Sequence, residues 1–81
     1  PQAEVPRATI EAGLGIIDLL NDGTGFLASK GEAKRALKEG SISVNKVKAG
    51  EDRMVNASDL ISGRFILLQR GKKNYFLVKA V

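Results

Sequence analysis

The chain of 81 residues contains no cysteine, no histidine and no tryptophan, and its aromatic complement is three phenylalanines and one tyrosine. Without cysteine it can form neither disulfides nor thiolate metal sites. Without histidine, a zinc site loses its other ordinary ligand. The commonest general base, histidine, and the thiol nucleophile, cysteine, are therefore missing together. Few aromatics also exclude a multi-aromatic base-stacking platform on one sheet face. No apolar run approaches the ~20 residues that a spanning helix requires. No charged leader with an apolar run and a small-residue cleavage site stands at the start, so a cytoplasmic location and no membrane partner are expected. Both prolines, Pro1 and Pro6, fall in the first six residues. Because the first residue is Pro1 and not methionine, the chain is expected to be a fragment or a processed piece.

What is present is a small, charged, moderately apolar chain: 43% of its residues are hydrophobic and its net charge is +4. One domain with a thin stability margin follows from that size. The charge is unevenly spread. Residues 1–29 carry one base, Arg7, against four acids, a local balance of −3, and residues 30–81 carry twelve bases against five acids, a balance of +7. A positive lobe of this kind favours a polyanion, nucleic acid first. A membrane surface ranks second, since the basic helix offers only Ala and Leu where an interfacial helix carries Trp or Phe.

The stretch Ser29–Asn45 organises the chain. Ser29 followed by Glu32 forms a capping-box pattern, and Gly40 is where the helix between them should stop. At about 100° per residue, Ala33, Ala36 and Leu37 share a narrow apolar face. Lys30, Lys34 and Lys38 stack at intervals of four, with Arg35 on their flank. Ile42 and Val44 then alternate as a short strand, and Asn45-Lys46 turns the chain. A solvated helix face can have the same composition.

Before this stretch, Pro1–Arg7 reads as a linker and Ala8–Gly13 as a short turn of helix capped by Thr9. Gly15–Asn21 reads as a core helix, with Ile16, Ile17, Leu19 and Leu20 apolar. Phe26 and Leu27 should pack on the first turn of the basic helix. Gly23-Thr24-Gly25-Phe26-Leu27-Ala28 fits a Gly-x-Gly-x-x-Ala phosphate fingerprint, but the strand and βαβ unit that this motif needs are missing, so loop glycines are the better reading. Asn56-Ala57-Ser58 fits a glycosylation sequon, which chance explains in a chain without an export signal.

After it, Val47 and Ala49 continue a second short strand. Gly50–Asp59 reads as a polar surface loop, and Asp59-Leu60-Ile61 as one helical turn ended by Gly63. Phe65–Arg70 and Tyr75–Val78 form a hairpin whose turn, Gly71-Lys72-Lys73-Asn74, carries a positive tip with Arg70 at its base. Lysines at such a turn can serve solubility alone or can touch phosphates. Tyr75 stands beside these lysines, where a base could stack on it, but four aromatics make no stacking platform, so half-buried core with a wet hydroxyl is the better reading.

These parts in this order resemble the small RNA-binding domain first described in the fourth small-subunit ribosomal protein, here called S-four-type. The matching residues are Gly25-Phe26-Leu27-Ala28-Ser29, Glu32-Ala33-Lys34-Arg35, Gly40 and Val44-Asn45-Lys46. Gly15-Ile16-Ile17-Asp18-Leu19-Leu20 and the run Gly63–Val78, with its Arg70-Gly71-Lys72-Lys73-Asn74-Tyr75 hairpin, narrow the resemblance to the end of bacterial-type tyrosyl-tRNA synthetases. The chain departs from that pattern with Lys34 in place of the first of two arginines, Ser41 for a second glycine and Lys46 for the turn glycine. A looser or longer turn is expected at Lys46, and the Gly23-Thr24-Gly25 loop is a further departure, being longer than the pattern.

The resemblance implies an α+β domain of two short helices on a small, mostly antiparallel sheet, with residues 1–13 as a linker from a missing upstream body and 14–81 as the S-four-type domain. It implies binding to tyrosine tRNA near the anticodon stem and the long variable arm. Lys30, Lys34, Arg35, Lys38 and Lys46 would form a first surface, and Arg70, Lys72 and Lys73 a second. It implies no metal and no catalysis by this piece, since the signature sequences of the synthetase active site are missing. ATP and tyrosine would belong to the missing body, which is expected to be homodimeric. The alternatives are an S-four-type domain of an rRNA-modifying or ribosome-associated protein, and a protein-interaction module with soluble basic faces.

Overall fold

A computed structural model describes residues 2–81. Among these residues the class is α+β, with three short α-helices and a mostly antiparallel five-stranded sheet, plus a separate two-stranded ribbon. In chain order the elements are β1 (Gln2–Val5), α1 (Arg7–Glu11), β2 (Leu14–Gly15), α2 (Ile16–Asp18), a π-helical turn (Leu19–Gly23), α3 (Lys30–Lys38), β3 (Ile42–Val44), β4 (Val47–Lys48), β5 (Met54–Val55), a 3-10 turn (Ala57–Asp59), β6 (Phe65–Arg70) and β7 (Asn74–Ala80).

The main sheet runs β1-β7-β6-β3-β4, and β2 pairs with β5. The β6–β7 hairpin is its spine, with Phe65 opposite Lys79 and Arg70 opposite Asn74. Strict alternation puts Ile66, Leu68, Phe76 and Val78 on the buried face, joined by Ile42 and Val44 of β3. Ile10, Ile16, Leu19, Leu20, Leu27, Ala33, Ala36 and Leu37 close the core from the helical side. Ala33 and Ala36 are small, so α3 can lie close to its neighbours with its backbone as near the core as its side chains. Phe26 meets Phe76 at 5.0 Å between ring centroids, tilted by 36°.

Several expectations need correction. The stretch 1–13 is not a linker over its described part: β1 pairs in parallel with β7, Gln2 opposite Leu77 and Val5 opposite Ala80. Only its Pro1 lies outside the described residues. The strand is short and its partner lies at the other end of the chain, so no local pattern announces it. α1 begins after Pro6 and not at Thr9, because the fixed φ of proline suits a helix entrance. The helix expected over Gly15–Asn21 widens after Asp18 into the π turn, which takes up the extra length of the following loop. Thr24 Oγ1 donates to Leu19 O (2.8 Å) and Asn21 Nδ2 to Leu27 O (3.0 Å), so the loop is tied back to the helix it leaves.

The polar stretch Gly50–Asp59 contains β5 and a full capping box. Asn56 Oδ1 accepts from Ser58 N–H (2.9 Å), and Asp59 Oδ2 accepts from Asn56 N–H (3.0 Å). The turn Asn45-Lys46 is tight, not loose. Val44 faces Val47 directly, and both turn residues take left-handed φ values of 50° and 70°. This is the two-residue turn that asparagine followed by glycine usually makes, here with lysine accepting the penalty.

Candidate nucleic-acid interface

Helix α3 starts as the sequence indicates and departs from it in one detail. Ser29 Oγ accepts from Glu32 N–H (3.1 Å), but the Glu32 carboxylate does not return to the cap. It accepts instead from Arg70 Nη1 at 2.9 Å. The helix ends at Gly40, whose φ of +72° admits glycine without strain. Just beyond, Gly71 N–H donates to Ser41 O (2.8 Å). One tie at the first turn and one past the last thus hold the tip of the β6–β7 hairpin against α3.

The helical wheel divides the cations by use. Ala33, Ala36 and Leu37 point inward, so Lys34, Arg35 and Lys38 occupy the solvent face and are exposed. Lys30 sits on one flank, between Asp18 (3.5 Å) and Asp22 (3.4 Å). Hydrogen bonding and charge from Asp22, then Asp18, hold the Lys30 ammonium above its ordinary range. Two carboxylates around one ammonium leave that spot with a net charge of about −1, so it repels a phosphate. Glu32 and Glu39 sit on the other flank. Lys30 and Arg70 are therefore structural partners of acids, and the structure does not add them to the unpaired set.

Lys72 and Lys73 are exposed at the hairpin tip that the two ties hold against α3. Among the described residues, neither they nor Lys34, Arg35 or Lys38 have a carboxylate within salt-bridge distance. Lys46 is exposed but lies apart. Its neighbour Asn45 bonds to Leu67, three register positions from Arg70, which is about 10 Å along the strand.

The cation that sequence reading missed is Lys48. It faces Ser43, and its Nζ reaches within 3.7 Å of where a Cβ on Gly40 would stand. It thus joins the end of α3. The signal was available, since a two-residue turn at Asn45-Lys46 sends Lys48 back along β3. Arg7, Arg64 and Lys79 lie toward the opposite end of the sheet, where Arg64 O accepts from Ala80 N–H and Arg7 N–H donates to Val81 O (both 2.8 Å).

The result is a cationic edge of Lys34, Arg35, Lys38, Lys48, Lys72 and Lys73, built on a helix and a hairpin that are fixed to each other. The turn at its far side is equally fixed. Asn45 Nδ2 donates to Asp59 O (2.6 Å), and Asn45 Oδ1 accepts from Leu67 N–H (2.8 Å). An open groove of about 420 Å³ elsewhere is lined by Glu4, Asp18 and Asp22 over Val5, Pro6 and Leu14, and its charge is of the opposite sign. Among the described residues, no cluster of acids could hold a metal ion. No helix there is long and apolar enough to cross a membrane.

Comparison with known proteins gives this edge a context. Residues 2–78 match the family model described as Tyrosine--tRNA ligase SYY-like C-terminal domain. The chain is 54% identical over 81 residues to a tyrosine–tRNA ligase of Flavobacterium johnsoniae, covering 100% of this chain and 19% of that protein. It is 42% identical over 79 residues to one of Porphyromonas gingivalis, covering 96% of this chain and 18% of that protein. With one of Bacteroides thetaiotaomicron the identity is 41% over 81 residues, covering 99% of this chain and 19% of that protein. The chain thus spans about a fifth of the length of these curated relatives.

Proposed function

The chain belongs to the family of tyrosine–tRNA ligase C-terminal domains, and from that membership we propose that it binds tRNA through the cationic edge. The observation that carries the reading is the separation of the cations: those on the flanks of α3 are matched to acids, and those on its solvent face and at the hairpin tip are not. Unpaired ammonium and guanidinium groups on a rigid frame bind phosphates by releasing counterions, and their fixed spacing sets orientation. Arg35 can take a phosphate through two parallel hydrogen bonds, and the lysines act as point charges.

The RNA is the tyrosine tRNA, held along the backbone near its anticodon stem and long variable arm, as the sequence resemblance implies. The domain carries no chemistry of its own. Aminoacylation, with ATP and tyrosine, belongs to a separate catalytic body, homodimeric and cytoplasmic. Membership in this family sets aside an rRNA-modifying or ribosome-associated protein.

The test is a gel-shift titration of tyrosine tRNA against a tRNA lacking the long variable arm, with the double variant Lys34→Glu, Arg35→Glu alongside. Tighter binding of the tyrosine tRNA, and its loss in a variant whose circular dichroism and melting are unchanged, is the expected result. Equal affinity of variant and parent would remove α3 from the interface.

A further inference from the structure

The outer face of the main sheet carries features that phosphate binding does not use. Direct cross-strand partners share a face. The registers Tyr75–Gln69, Gln69–Ser43 and Ser43–Lys48 therefore set Lys48, Ser43, Gln69 and Tyr75 in one row across four strands. Leu67 and Leu77 lie in the next row. This is the face turned away from the core, and its residues are half-buried or exposed.

Tyr75 was expected to be half-buried core, yet it is 43% exposed. The other aromatics are occupied or recessed: Phe26 and Phe76 stack on each other, and Phe65 is half-buried. Tyr75 is the one aromatic among the described residues that offers its ring to solvent beside cations. Lys73 precedes it by two residues in the turn, whereas Lys48, three strands across the row, reaches with its ammonium toward Gly40 at the end of α3. Gln69, directly across, donates from Nε2 to Gly71 O (2.9 Å), so it is engaged with the turn. The nearest acid on this face, Glu4, is two rows away and opposite Lys79.

We propose that Tyr75 is a stacking site for one unpaired base of the bound RNA, with Leu67 and Leu77 as the apolar floor beside it. The occupant is a nucleotide because the surroundings match one. A flat apolar ring takes the base, and Lys73 in the adjoining turn takes a flanking phosphate. A protein surface of matching charge would be acidic, and an acidic strand has no use for an isolated exposed ring among lysines. Since α3 and the sheet's outer face lie on opposite sides of the hairpin tip, the RNA bends round the tip, with its backbone on the edge and one base on the sheet.

The proposal rests on the tRNA-binding reading, and its test separates the two. The chain has one tyrosine and no tryptophan. A Tyr75→Trp variant of the 81-residue chain, excited at a wavelength where RNA hardly absorbs, therefore reports on this position alone. Titration with tRNA should quench its emission in step with binding. Tyr75→Ala should weaken tRNA binding about five-fold or more, the lower end of what a base–aromatic stack contributes. Tyr75→Phe, which keeps the ring, should stay within about two-fold of the parent. Saturable tRNA binding with unchanged emission would refute the stack and leave the cationic edge standing, as would parental affinity for Tyr75→Ala or an equal loss for Tyr75→Phe. Absence of salt-sensitive tRNA binding by the parent chain would refute both.

Discussion

Replacing Lys34 and Arg35 by alanine should change the salt dependence of tRNA binding by a calculable amount, and replacing Lys30 should not change it. Among the described residues, six cations on the edge have no acidic partner: Lys34, Arg35, Lys38, Lys48, Lys72 and Lys73. If each neutralises one phosphate, log affinity falls against log salt with a slope of about −4 to −5, at ~0.7–0.9 per phosphate. A four-fold rise in salt then costs on the order of 10³-fold in affinity. The double alanine variant keeps four contacts, its slope flattens by about 1.5, and the same rise costs on the order of 10²-fold. Lys30→Ala is the control. Lys30 lies on the same helix, one turn before Lys34, but Asp18 and Asp22 already surround it. Its removal should leave the slope within about 0.3 of the parent. Filter binding at four salt concentrations measures all three. A Lys30→Ala slope as flat as that of the double variant would show that the acids do not withhold Lys30, and the division of cations would fail.

Three further outcomes follow from single contacts. Asn45→Ala removes two side-chain hydrogen bonds, leaves the Leu67 N–H without its partner and keeps a left-handed φ, so urea unfolding should show a loss of about 2–3 kcal/mol. Glu32→Gln releases Arg70 and removes a negative charge beside the edge. Thermal melting should fall by a few degrees while tRNA affinity rises. For Asp59, burial pushes the carboxyl up, but the Arg53 guanidinium and the Asn56 N–H together hold it below its ordinary range. Its contribution to stability is therefore complete above about pH 4, the range of a free aspartate, and drains away as the pH falls through its lowered value. Asp59→Asn should cost about 1–2 kcal/mol at neutral pH and much less in acid, read by denaturant titrations at both.

Local chemistry was legible in the sequence wherever a partner lay within a few residues. Ser29, Gly40, the alternation of Ile42 and Val44, and the turn of the β6–β7 hairpin each follow from nearest neighbours. What escaped depends on the closure of the chain. β1 pairs with residues some 75 positions away. Glu32 has two possible partners, its own cap and Arg70 across 38 residues, and a guanidinium offers the carboxylate more than a single amide does. Lys30 looked equivalent to Lys34 and Lys38 because their spacing is regular. Only the packing of α2 and its π turn against α3 puts Asp18 and Asp22 beside it. Tyr75 looked like core because four aromatics are too few for a stacking platform, and its register sets it on the open face instead. The candidate site was thus readable as a basic helix and a basic tip, and its true extent required knowing which cations the fold had already matched.

The parallel pairing of β1 with β7 also governs how the molecule bears mechanical load. A pull on Gln2 along the strand axis acts on four register pairs, Gln2 to Val5, at once and does not open them one after another. A pull against the hairpin tip starts from the same end of the overlap as Gln2 and would open the pairs in turn, but tension between Gln2 and the far end of β7 at Ala80 would run lengthwise through both strands. The assembly would resist as a lap joint does, stiff until the whole overlap slips.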